Sequence, residues 1–135
     1  MRAIFILAFF LSFSITNAQS LNDTTTTEVV FEKVEVEATV DANLWRQHLE
    51  RELQPILEKA AKKMKAGKYT VYVRFLVERD GSISYVKASN DPGHGLAKAA
   101  ENVIKSGPKW SAGMQNGRKV RSYHTQPITF VLSEG

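Results

Sequence analysis

The sequence predicts one small α+β domain. Its heart is a three-stranded antiparallel sheet, built as a β-hairpin, a helix and an edge strand, with the helix packed on one face. An N-terminal strand and amphipathic helices precede it. Three observations carry this prediction. Residues 69–78 alternate apolar and polar and run into Asp80-Gly81, the strongest two-residue hairpin signal. Residues 96–104 then switch to helical period, and residues 119–132 return to period two. A chain of 135 residues suits a single domain.

The first eighteen residues are expected to stand apart from the fold. Arg2 is a short basic start, residues 3–15 are almost wholly apolar, and Thr16-Asn17-Ala18 supplies the small residues a signal peptidase reads. Thirteen residues rise only about 20 Å as a helix, against about 30 Å of hydrocarbon. Cleavage after Ala18 and export to the periplasm are therefore the expectation, with an uncleaved inner-membrane anchor as the alternative. Residues 19–27 are polar and Thr-rich, and read as a disordered leader. The remaining residues, 28–135, form the domain, with a core over 67–132.

Between Glu28 and Val40, apolar and charged residues alternate, so this stretch reads as a strand interrupted by Glu32. Asp41 looks like a helix N-cap. Leu44, Trp45, His48, Leu49, Leu53, Ile56, Leu57, Ala60, Ala61 and Met64 then recur at three and four, the signature of one apolar helix face. Pro55 lies inside that pattern. An interior proline costs about 3 kcal/mol, so a kink or break is expected near Gln54, with Pro55 opening a second helix. Lys62, Lys63 and Lys65 suit the last turn, and Gly67 suits the position just past it.

A two-residue turn at Asp80-Gly81 would set Arg79 opposite Ser82, Val77 opposite Ser84, Phe75 opposite Val86 and Val73 opposite Ala88. That register gathers Val73, Phe75, Val77, Val86 and Ala88 on a single face. Leu96, Ala99, Ala100, Val103 and Ile104 make a narrow apolar helical stripe, and Ser106-Gly107-Pro108 ends it. Trp110 begins an irregular loop and reads as a core plug. Asn116-Gly117 closes that loop as a tight turn. In the last strand, about residues 119–132, Ile128, Phe130 and Leu132 share one face. Pro127 cannot donate to a ladder, which marks the strand as an edge.

Composition narrows the function. There is no cysteine, so no disulfide framework, lipid-anchored cysteine or thiolate metal site can form. The formal net charge is +4, or +3 once Arg2 is removed, too mild to argue a nucleic-acid partner. His48, His94 and His124 lie far apart with no ligand spacing. Ser89, Asp91 and His94 could be drawn as a catalytic set, but no nucleophile elbow supports it. No catalytic residue, metal, cofactor or small-molecule substrate is expected. The feature left for function is the last strand's edge, whose unpaired N–H and C=O groups can accept another chain. Pro127, Arg118, Lys119 and Arg121 could equally blunt that edge against aggregation.

Several motifs in order extend this reading: Gly67-Lys68-Tyr69-Thr70-Val71, then residues 75–83, Gly107-Pro108-Lys109-Trp110, Gln115-Asn116-Gly117-Arg118 and Gln126-Pro127-Ile128-Thr129-Phe130. Together they resemble the TonB C-terminal domain, in the variant found in many Bacteroidetes proteins. Trp45, Leu49 and Leu53 ahead of Gln54-Pro55 resemble the helix that precedes it. The resemblance implies a binding module whose last strand pairs with the TonB box, a short extended segment of an outer-membrane receptor. The expected partner-facing residues are Arg121, Tyr123, Gln126, Ile128 and Phe130, of which Ile128 and Phe130 also suit the core. Two departures matter. Where the family has Trp-x-Pro-Ala, this chain has Trp110-Ser111-Ala112-Gly113. It also lacks a spanning helix and a long Pro-rich arm, and residues 19–27 stretch only about 30 Å. The docking surface is expected to persist while direct energy transduction is lost. The alternative is a free-standing envelope adaptor that uses the same edge to dimerise or to bind another envelope protein.

Overall fold

The computed structural model describes residues 29–134. The expected signal peptide and leader lie outside the described residues. The elements in chain order are β1 (Val30–Phe31), β2 (Thr39–Val40), α1 (Ala42–Ala61), β3 (Gly67–Val77), β4 (Ile83–Ala88), α2 (Leu96–Lys105), β5 (Trp110–Ser111), β6 (Gly113–Gln115) and β7 (Arg118–Leu132).

The α+β class holds, and the sheet is larger than three strands. Its strand order is β1-β7-β3-β4, with β6 also paired to β7, and a small second sheet joins β2 to β5. Within it β4, β3 and β7 run antiparallel, with β4 at one edge. Odd residues of β3 and even residues of β7 face one side. There Val71, Val73, Phe75, Val77, Ile128, Phe130 and Leu132 meet Leu96, Ala100, Val103 and Ile104 of α2 and Ala60 of α1 in one core. Burying this many branched and aromatic side chains is the main drive for folding.

The hairpin departs from the expected register and then regains it. Glu78 N–H donates to Ser82 C=O at 2.9 Å, so the loop has three residues, with Gly81 left-handed at φ 88°. A three-residue loop closed by a left-handed glycine shifts the pairing by one. Leu76 therefore pairs with Ser84, and Val77 with Ile83. A bulge opposite Phe75 restores the frame: Tyr85 takes φ 53°, and beyond it Arg74 pairs with Lys87 and Val73 with Ala88. Val86 and Ala88 still pack against the core, joined by Ile83.

Helix α1 is continuous through Pro55, so the expected break does not occur. Pro55 is exposed. Trp45, Leu49 and Leu53 before it, and Ile56, Leu57 and Ala60 after it, pack on the same core and hold both halves in line. Asp41 caps the helix as expected, its Oδ1 accepting from Leu44 N–H at 3.0 Å. Gly67 is not past a helix end; it opens β3, and Lys62 is the C-cap.

Two other stretches differ from expectation. Residues 29–40 are not one strand: β1 and β2 are separate two-residue pieces, with an isolated bridge between Val36 and Met114. The chain bends at Glu32, where the apolar alternation breaks. The stretch after Trp110 is not irregular. Its two short strands, β5 and β6, are ordered by pairing with β2 and β7, contacts no local pattern announces. Trp110 is the plug expected. It packs edge-on against Phe75 and Trp45, with ring centroids 5.2 and 5.9 Å apart.

Candidate docking edge

The sheet ends in β4 on one side and in the two-residue β1 beside β7 on the other, so β4 and the part of β7 beyond β1 are the two edges that could receive a strand. The side of β4 is closed. Glu101, reaching from α2, accepts the outward Ala88 N–H at 2.9 Å. The bulge at Tyr85 kinks the middle of the strand. Beyond the end of β4, the Asn90 amide bonds both Tyr72 N–H and Thr70 C=O at 2.8 Å, continuing the ladder with a side chain.

The side of β7 is open over part of its length. Tyr72 turns its N–H to Asn90 and its C=O to Ser89, away from β7. In an antiparallel ladder the opposite residue then turns its groups outward too. That residue is Pro127, so its missing N–H falls on the free side and costs the sheet nothing. The same alternation turns the backbone groups of Thr125, Thr129 and Val131 outward. Beside this stretch, α1 and the end of β7 frame a shallow cleft of about 280 Å³ lined by Leu57, Ala61 and Val131 among others.

The edge is not open throughout, as a terminal strand would be. β1 lies parallel to β7, with Val30 beside Arg121 and Phe31 beside Ser122. β6 pairs with residues 118–120 on the other side of β7, in line with the end of β3, since Arg118 and Val120 share the inward alternation of Ser122. Both contacts lie at the start of β7.

The residues marked in the sequence divide between the two faces. Arg121 and Tyr123 lie on the face away from the core. Arg121 Nε donates to Glu78 Oε1 at 2.7 Å in a half-buried ion pair. That guanidinium, with help from Ser84, holds the Glu78 carboxyl below its usual range. The Tyr123 ring carries the Arg74 guanidinium at 3.9 Å, and Arg74 in turn donates to Glu32 at 2.7 Å. Gln126 is half-buried, and its amide turns to its neighbours His124 and Pro127. Ile128 and Phe130 are buried in the core and hold the strand in place. What sequence reasoning missed is Glu32, Arg74 and Asn90. Their roles depend on pairing across 42 and 18–20 residues, which no local pattern reports.

The histidines do not gather. His48 is buried, with its Nε2 2.8 Å from Val103 C=O. His94 sits exposed on a loop at φ 56°, and the His124 ring lies tilted against Trp110, with centroids 4.9 Å apart. Among the described residues no helix is long and apolar enough to cross a membrane.

These features define a small α+β module with one sheet edge closed and one partly open. Residues 54–132, more than half of the chain, match the family described as Gram-negative bacterial TonB protein C-terminal, and the chain belongs to that family. The family is a binding and energy-transducing domain of envelope transport, not an enzyme family. No curated protein and no solved structure matches the chain.

Proposed function

We propose that this chain is a periplasmic TonB-like protein of TonB-dependent transport that docks the extended N-terminal segment of an outer-membrane receptor on the edge of β7. The observation that carries this reading is the asymmetry of the sheet. One edge is sealed by Glu101, Asn90 and a bulge; the other offers outward backbone groups from Thr125 to Val131. Backbone pairing supplies affinity, and alternate side chains supply preference. Arg121, Tyr123 and Gln126 flank the path of such a peptide, while Ile128 and Phe130 keep β7 anchored beneath it.

The test is an envelope pull-down followed by titration with the recovered receptor's N-terminal peptide. Thr125→Pro removes an outward N–H and leaves the backbone bonds to β3 in place. It abolishes binding while circular dichroism and the melting curve stay close to the parent. A folded variant that binds unchanged transfers the function to an adaptor role elsewhere on the surface.

A further inference from the structure

The start of β7 carries a strand already, and that strand belongs to the chain itself. Ser122 pairs with Val77 across the β3 ladder and turns its backbone groups inward. The groups of Phe31, which lies beside Ser122 in parallel, therefore meet those of Arg121 and Tyr123. We propose that residues 29–32 are a displaceable strap that fills the receptor-binding edge in cis. The partner is then an extended peptide that replaces it in the same parallel direction, with two apolar residues followed by an acidic one. This rests on the docking reading above.

Three observations support it. First, the open run is short. Pro127 interrupts it, leaving outward N–H groups only at Thr125, Thr129 and Val131. Lifting the strap adds Arg121 and Tyr123 and makes a continuous donor run of Arg121, Tyr123 and Thr125 before the proline. Second, the strap is weakly held. It pairs over two residues, Val29 is 62% exposed, and its side-chain clamp is the exposed Glu32–Arg74 ion pair. Short exposed pairings and exposed ion pairs open at low cost. Third, it is anchored just beyond. Val36 and Met114 exchange two backbone bonds at 3.1 and 2.8 Å, and Glu35 accepts Asn116 N–H at 2.9 Å. Residues 29–32 can peel while residues 35–40 stay in place. Once Glu32 leaves, the Arg74 guanidinium on the Tyr123 ring faces the vacated path and selects an acidic side chain there.

Hydrogen exchange on the free full-length protein tests the strap without any partner. The Tyr123 amide, held only by the strap, exchanges about 100-fold faster than the His124 amide, which belongs to the β3 ladder. Glu32→Ala speeds Tyr123 further and leaves His124 unchanged. A second arm uses a synthetic peptide of this chain's residues 28–37 as the probe. The chain has no cysteine, so Phe31→Cys with Ser122→Cys adds a single lock across adjacent strands. The probe binds the oxidised form at least about 10-fold more weakly than the reduced form. Equal exchange at Tyr123 and His124, or equal binding to both redox forms, overturns the strap whatever the receptor peptide does. Fast Tyr123 exchange in a protein that binds no receptor peptide removes the docking reading instead.

Discussion

Trp110 N–H donates to the Gly81 carbonyl at 3.0 Å, and a β-carbon built on Gly81 would stand 2.1 Å from the Trp110 carbonyl oxygen. The hairpin turn and the start of β5 are thus pressed backbone to backbone. The glycine at this turn meets two demands at once: a left-handed φ of 88° and room for another strand. The contact also sets the Trp110 ring over Phe75, at the centre of the core.

Gly81→Ala is therefore expected to cost more than an ordinary turn substitution. Left-handed strain and a backbone clash together amount to roughly 3 kcal/mol. Gly117→Ala makes the matched control. Gly117 also has positive φ, 74°, but nothing lies within 4 Å of its added β-carbon. Chemical denaturation of the two variants should show the Gly81 loss as clearly the larger.

Pro55 supplies a prediction of opposite sign. It sits exposed in mid-helix, with apolar contacts on both sides doing the work that its missing hydrogen bond does not. Pro55→Ala restores that bond and removes the ring clash. A gain of about 1–3 kcal/mol is expected, seen as a raised melting temperature, with receptor-peptide binding unchanged.

How far the fold was legible follows the range of the signals. Asp41, the stripe of α2, the single face of β7 and the Asn116-Gly117 turn, where φ is 53° and 74°, depend on neighbours in sequence and were readable. The hairpin shows how a local rule can fail and still place the core. The extra loop residue and the bulge at Tyr85 cancel, so Val73 meets Ala88 as expected, although Val77 meets Ile83 and not Ser84. The helix break expected at Pro55 is absent because tertiary packing outweighs propensity. The parallel pairing of β1 with β7, and Asn90 acting as a strand extension, were illegible. They join residues 91 and 18–20 apart through geometry alone.

Glu78 gives a pH dependence. Its carboxyl is held below the ordinary 4.5 by Arg121 first and Ser84 next. Between its folded value and 4.5, the unfolded chain binds more protons than the folded one, so stability rises with pH there. The contribution is complete above about pH 5 and is lost as the pH falls through the lowered folded value. Glu78→Gln should be less stable than the parent at pH 7. The two should converge in acid, as read from denaturation midpoints across the series.

The two sheet edges can be separated by one substitution on the closed side. The Glu101 carboxylate takes the outward Ala88 N–H at 2.9 Å and ties α2 to β4. Glu101→Ala leaves that N–H without its partner and reopens this part of the β4 edge, at a cost of about 1–3 kcal/mol for a charge-assisted bond. If docking belongs to β7, affinity for the receptor peptide stays at the parent value in Glu101→Ala despite the lost stability, and Thr125→Pro abolishes it despite a near-normal fold. If the peptide instead binds Glu101→Ala more tightly, β4 is the receiving edge. The carboxylate would then be a competitor for the ligand and no longer a mere seal. Measuring both variants against the same peptide, with stability measured in parallel, assigns the edge without a structure of the complex.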